Sequence, residues 1–123
     1  MAKMEQETEG KIRDLGRILK LYHDFMAAAD FSREEDLQKM GYYGNAGARL
    51  AYRLADELNL KGGDDVEILE EIVRYAEDRG SDAADGIKAE LPKVHAVENV
   101  MRSIDKDAPL DEKTRAIHKA LKP

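Results

Sequence analysis

The chain of 123 residues contains no cysteine, no tryptophan and only two phenylalanines. Without cysteine it forms neither disulfides nor thiolate metal sites, and it has no thiol nucleophile. No run of apolar residues approaches the roughly 18 that cross a bilayer, and the acidic N-terminus lacks the apolar stretch of a signal peptide. These absences predict a cytoplasmic protein that has no membrane segment.

Large apolar side chains are also scarce. Leucine, isoleucine, valine and phenylalanine together supply 26 of the 123 residues, a share close to that at which disorder is expected. A chain with so little apolar volume either packs its helices closely through small residues or buries further surface against a second copy. The composition therefore favours self-association.

Negative charge dominates the chain, whose formal net charge is −6. Residues 62–90 contain ten acidic side chains and only three basic ones. Such a balance repels a phosphate backbone and an anionic membrane surface, so nucleic-acid binding is not expected, even at residues 92–122, where the charge turns positive. The acidic region 64–90 is a candidate surface for a basic protein partner, although a solvated helix face is the more ordinary interpretation.

Apolar residues recur with helical spacing along nearly the whole chain, and no segment alternates like a strand. The spacing predicts helices at about 5–30, 33–60, 65–79 and 82–105 and a short one at about 109–121. Pro92 removes an amide from the fourth helix, so we expect a kink or short break there, with 92–105 as the strong part. The prediction is an all-α, single-domain bundle over 1–123, with four main helices, a short C-terminal helix, largely antiparallel neighbours and frayed residues 1–4.

Several residues are placed to begin or end these helices. Ser32 followed by Glu35 has the spacing of a capping box for the second helix. Asp64 or Asp65 is suited to start the third helix, because a carboxylate favours the positive helix end. Gly80 is suited to end it in a left-handed conformation.

The second helix has two glycines where apolar side chains are expected. Its apolar seam advances in alternating steps of three and four residues, and it comprises Leu37, Met40, Gly44, Gly47, Ala51, Leu54 and Leu58. This is the spacing of a helix that packs against a partner. Glycine inside a helix costs about 1 kcal/mol relative to alanine, so its presence twice in one seam indicates close approach, a break or room for a ligand.

Three interpretations of the glycine element stay open. A continuous helix would offer Gly44, Gly47 and Ala48 as a smooth strip for a neighbouring backbone. A loop at 41–47 would expose helix amides which, with Arg49 and Arg53, bind an anion. A pocket walled by Tyr42 and Tyr43 would bind a planar or anionic ligand. The candidate ligand-binding or interface residues are therefore Tyr42, Tyr43, Gly44, Gly47, Ala48, Arg49 and Arg53.

No pattern of catalytic or metal-ligating residues accompanies this element. Of the three histidines, His95 is the one with a carboxylate one helical turn away, at Glu98. One such pair does not make a metal site or a catalytic centre, so no metal, cofactor or catalytic residue is predicted. The leading functional prediction is a small acidic interaction module that forms a homodimer through the Gly44 and Gly47 seam. The alternative is a small-ligand-binding protein, with or without enzymatic activity, whose pocket lies near Tyr42, Tyr43, Arg49 and Arg53.

Overall fold

Five α-helices account for most of the described chain. The computed structural model describes residues 4–122, and within that range no strand occurs. The helices are α1 (Gln6–Ala28), α2 (Glu34–Glu57), α3 (Asp65–Asp78), α4 (Asp85–Ser103) and α5 (Leu110–Leu121). The predicted all-α bundle is confirmed. None of the described helices is long and apolar enough to cross a bilayer.

Helices α1 and α4 form the middle of the bundle: α1 lies against α2, α4 and α5, and α4 lies against α1, α3 and α5, while α3 also packs on α2. The larger apolar cluster joins α1 to α2, α3 and α4 around the fully buried side chains of Ile12, Leu15 and Ile72. A smaller cluster at the other end of α1 joins Met26 and Phe31 to α5. Both clusters depend on α1, so the two ends of this helix hold different parts of the chain.

The start of the described chain contributes to the core. Met4 is 8% exposed and belongs to the larger apolar cluster, where its thioether side chain has a buried apolar site. The fraying of residues 1–4 stays a prediction. Residues 1–3 lie outside the described range.

Helix α2 runs without interruption through Gly41, Gly44 and Gly47. The interpretation of 41–47 as a loop is therefore wrong. Apolar residues of the same seam lie on both sides of the glycines, and Ala51 and Leu54 are buried in the larger cluster. Packing along the seam outweighs the helix-breaking tendency of the glycines, as tertiary contact commonly does.

The closest backbone approach identified at a helical glycine lies between α1 and α4. A Cβ atom on Gly16 would come within 3.0 Å of the backbone nitrogen of Ile87 and 3.1 Å of the carbonyl carbon of Gly86. Gly16 is buried, and α1 has little room for a side chain there, whereas a Cβ atom on Gly86 would meet the Gly16 backbone at an ordinary 3.6 Å. The sequence did not single out this pair, because the two glycines are far apart in the chain and each looks isolated.

Pro92 does not break α4, which extends unbroken from Asp85 to Ser103. The expectation of a short break with the strong helix at 92–105 is therefore wrong. Pro92 is exposed, whereas Leu91 and Val94 pack against the larger cluster. Contacts on the buried face hold the helix together across the single missing amide.

The predicted helix ends have mixed outcomes. Asp64 caps α3 by accepting a hydrogen bond of 2.9 Å from the Glu67 amide, and Gly80 adopts a left-handed φ of 66° after the helix, as predicted. The capping box is wrong, because the Ser32 hydroxyl donates to Asp30 at 2.6 Å. The N-cap position of α2 is Arg33, whose side chain makes no capping hydrogen bond.

Replacing Gly16 by alanine is expected to destabilise the protein by about 1–3 kcal/mol, because the new methyl group would lie only 3.0 Å from the backbone of α4, which would have to move to admit it. Gly41→Ala is the matched control: a Cβ there meets nothing within 4 Å, so it should stabilise by about 0.5–1 kcal/mol. Urea unfolding followed by circular dichroism measures both changes. A Gly16→Ala protein as stable as the wild type would contradict the close α1–α4 contact.

Candidate functional site

A cleft of about 560 Å³ opens among α1, α2, α3 and α4. Its walls include Ile18, Tyr22, Tyr43, Gly47, Asp65 and Val97. The volume falls in the range of clefts that hold small organic ligands, roughly 300–1,000 Å³. The cleft is therefore the main candidate site among the described residues.

The seam glycines of α2 form part of this cleft and also contact α1. A Cβ atom on Gly44 would lie 3.5 Å from the Tyr22 ring, and one on Gly47 would lie 3.4 Å from a methyl group of Ile18. Helix α1 of the same chain thus covers the seam. The homodimer predicted from Gly44 and Gly47 stays a prediction, and this intrachain packing does not favour it.

The other predicted site residues divide between the cleft and the outer surface. Tyr43 and Ala48 line the cleft, whereas Tyr42 is 73% exposed and lies outside it. Arg49 and Arg53 are also exposed and do not line the cleft. Helical geometry explains the division, because residues 42, 49 and 53 fall on the face of α2 that turns away from α1.

Carboxylates lie on the side of the cleft formed by α3 and α4. Asp64, Asp65 and Glu98 line it. Glu98 forms an ion pair with Arg102, but none of the ion pairs described within residues 4–122 includes Asp64 or Asp65. Asp65 accepts a hydrogen bond from the Tyr52 hydroxyl at 2.5 Å. No lysine or arginine of residues 4–122 lines the cleft, so the described side chains give it a negative field.

The N-terminus of α3 is poorly suited to an anion, although helix N-termini commonly bind one. The Asp64 side chain already accepts from the Glu67 amide, and the Glu67 side chain accepts from the Gly63 amide at 2.7 Å. These carboxylates occupy the donors and repel a second anion. The anionic ligand predicted from Arg49 and Arg53 therefore has no support in this cleft.

A buried histidine lines the cleft from α1. His23 is 2% exposed, and its Nδ1 lies 2.9 Å from Oε1 of Glu90, which is itself 6% exposed on α4. Burial lowers the pKa of His23 below its ordinary value, and the attraction of Glu90 only partly opposes this effect. The imidazole is therefore neutral at neutral pH.

The hydrogen bond to Glu90 determines which ring nitrogen of His23 carries the proton. An ionised carboxylate only accepts, so Nδ1 donates and Nε2 keeps its lone pair. Among residues 4–122, Glu90 is the one hydrogen-bond partner of this ring, so Nε2 has none. Within the same range, every side-chain nitrogen or oxygen that is closed off from solvent has a hydrogen-bond partner. Nε2 therefore retains accessible surface on a residue that lines the cleft.

Sequence reasoning missed the His23–Glu90 pair because 67 positions separate its members. It singled out His95 and Glu98 instead, but His95 is exposed and lies 3.9 Å from Glu70. One signal was present: His23 and Glu90 both interrupt apolar faces of their helices. Within residues 4–122, no three histidine or acidic side chains converge as metal ligands would.

The acidic region 64–90 is partly neutralised within the chain. Glu71 pairs with Arg74, Glu77 with Lys88 and Asp82 with Arg13. These pairs are exposed and contribute little to stability, but they reduce the charge offered to a partner. Binding of a basic protein there stays a prediction.

Acidification is expected to destabilise the protein through His23. Since its pKa is lower when folded, the unfolded chain binds more protons below about pH 6.5, and stability falls by up to about 1.4 kcal/mol per pH unit until the folded pKa is reached. Above that range the contribution is constant. Urea unfolding at several pH values between about 5.5 and 7.5 measures the slope.

His23→Gln should reduce this slope, whereas the exposed control His95→Gln should keep it. Stability that is unchanged or rises as the wild type is acidified over this range would contradict a buried, neutral His23.

No protein-family model, curated protein or solved structure matches the chain. The cleft is therefore interpreted from its own residues. Its distinguishing features are aromatic and apolar walls, carboxylates without a described cation partner, and a buried histidine that Glu90 orients.

Proposed function

We propose that the protein binds a small organic cation with an apolar body, and that the ligand occupies the cleft among α1, α2, α3 and α4. The observation that carries this proposal is the pairing of an apolar cavity with Asp64 and Asp65, which have no described ion-pair partner. A ligand cation would supply the missing partner, while its apolar body would cover the walls.

The walls favour a flat or aliphatic body. Side chains such as Ile18, Leu69 and Val97 supply apolar surface, and Tyr22 and Tyr43 supply aromatic rings. Burial of apolar area drives binding, and a ring face also attracts a nearby cation. These contributions act together for an amphiphilic cation, whereas an inorganic cation would use only the carboxylates.

The charge of the cleft favours a cationic over an anionic ligand. The predicted anion-binding residues, Arg49 and Arg53, lie outside the cleft, so their charges are screened by solvent. A ligand carboxylate or phosphate would instead face Asp64, Asp65 and Glu98. The proposal thus keeps the pocket predicted beside the glycines and the planar ligand predicted for it, and it replaces the anionic ligand by a cation.

Isothermal titration calorimetry with two naphthalene probes tests the proposal. We expect 2-(1-naphthyl)ethylamine to bind and 1-naphthylacetate, which has the same ring and the opposite charge, to give no heat of binding. The Asp64→Asn/Asp65→Asn variant should weaken the amine by about 5- to 30-fold, as expected for loss of two partly exposed charge pairs. Asparagine remains a good N-cap residue and a hydrogen-bond acceptor, so α3 should stay folded.

Glu77→Gln/Asp78→Asn is the matched control, because it removes the same charge from the other end of α3 and should leave amine affinity unchanged. Ala48→Leu should abolish binding by filling the cleft, while Arg49→Leu, on the outer face, should not. Equal binding of the two probes, or amine binding that survives Ala48→Leu, would overturn the proposal.

A further inference from the structure

We infer that the cationic group of the ligand carries an N–H that donates to Nε2 of His23, so that the cleft selects primary and secondary ammonium groups over quaternary ones. The inference rests on the proposed function and specifies its ligand class. It makes His23 a binding residue and Glu90 the residue that positions it.

The geometry that carries the inference is a buried ring with one nitrogen engaged and the other available. His23 lines the cleft, and its Nδ1 lies 2.9 Å from the Glu90 carboxylate. The two nitrogens of an imidazole point away from each other across the ring. Because Nδ1 faces Glu90, Nε2 faces away from it, with its lone pair available to a ligand donor.

A second histidine differs from His23 in its position. The Nε2 atom of His118 lies 2.6 Å from the backbone carbonyl of Ala29 and ties α5 to the end of α1. Each ring has one described hydrogen-bond partner within residues 4–122, but of the two only His23 lines the cleft. A ligand N–H would complete its hydrogen bonds.

The protonation state of His23 suits an ammonium ligand. The charged groups that act on the ring are Glu90 and Lys93 on α4 and Asp24 on α1, and the acidic groups on the cleft walls are Asp64, Asp65 and Glu98. Burial keeps the imidazole neutral at neutral pH, so Nε2 accepts a hydrogen bond. Protonation would turn Nε2 into a donor and would place a positive charge beside the ligand's own.

Calorimetry with 2-(1-naphthyl)ethylamine and its N,N,N-trimethyl derivative tests the inference. Both probes are cations with the same ring, but only the first has an N–H. At about pH 7.5 the wild type should bind the primary amine about tenfold or more tightly than the trimethyl probe, since the hydrogen bond joins a charged donor to a buried acceptor. Its affinity should fall on acidification through the pKa of His23.

The matched variant is His23→Leu/Glu90→Leu, because replacing a buried polar pair by apolar residues is often neutral for stability. In this variant the two probes should bind within about twofold of each other, since the hydrogen bond that separates them is gone. Selectivity that persists would assign the discrimination to the size of the trimethyl group and would overturn the inference.

A measurement on the wild type keeps the inference testable if the variant does not fold. The ¹⁵N chemical shifts of His23 should report a protonated Nδ1 and an unprotonated Nε2 in the free protein. A proton on Nε2 would overturn the inference. Equal binding of the two probes to the wild type would overturn it while leaving the proposed function intact, whereas failure of both to bind would remove the proposed function too.

Discussion

The contact between α1 and α4 is the constraint on which the rest of the structure depends. A Cβ atom on Gly16 would lie only 3.0 Å from the backbone of α4, next to Gly86, closer than side chains normally approach. His23 lies seven residues along α1 from this point and Glu90 four residues along α4, so the paired side chains are about 6–10 Å away along the helices. The backbone contact at Gly16 and the His23–Glu90 pair thus hold α1 and α4 together at two places along their shared face.

The shortage of large apolar side chains explains why such an arrangement is needed. A bundle with ordinary leucine-rich seams fills the space between its helices, whereas this chain brings α1 and α4 together through glycine and leaves a cleft where α1, α2, α3 and α4 meet. Gly44 and Gly47 lie at the cleft. A Cβ atom at either position would be in ordinary contact with α1, so both glycines are compatible with helix packing. Because they lack side chains, they also leave open volume beside Tyr43. Close packing and a cavity are therefore two consequences of the same composition.

Sequence reasoning recovered what depends on neighbouring residues. Helical spacing identified all five helices, and local chemistry placed Asp64 and Gly80 correctly at the ends of α3. It failed where a distant or competing partner decides the outcome. The Ser32 hydroxyl bonds to Asp30 instead of capping α2, and tertiary packing carries α4 past Pro92.

The candidate site was predicted only in part for the same reason. The spacing of α2 drew attention to Tyr43, Gly44, Gly47 and Ala48, which line the cleft, but a helix pattern alone does not say which residues of other helices face them. The electrostatics of the cleft come from α3 and α4, and its buried histidine comes from α1. Arg49 and Arg53 are near the glycines in sequence, yet they lie on the outer face and do not line the cleft, so proximity along the chain did not indicate which charges border it.

The burial of His23 and Glu90 is best understood through the cleft rather than through stability. Removing such a pair from water carries a desolvation penalty that its attraction often fails to recover, and apolar residues of similar size would fill the same space without that penalty. The pair also makes the protein sensitive to acid, because His23 must stay neutral when buried. A stabilising role alone therefore accounts poorly for its position. The proposed role at the cleft accounts for three observations together: the orientation of Nδ1 toward Glu90, the unpartnered Nε2, and the carboxylates of the cleft without a described cation. In the proposed complex, an ammonium ligand would give Nε2 a donor and the carboxylates a positive charge.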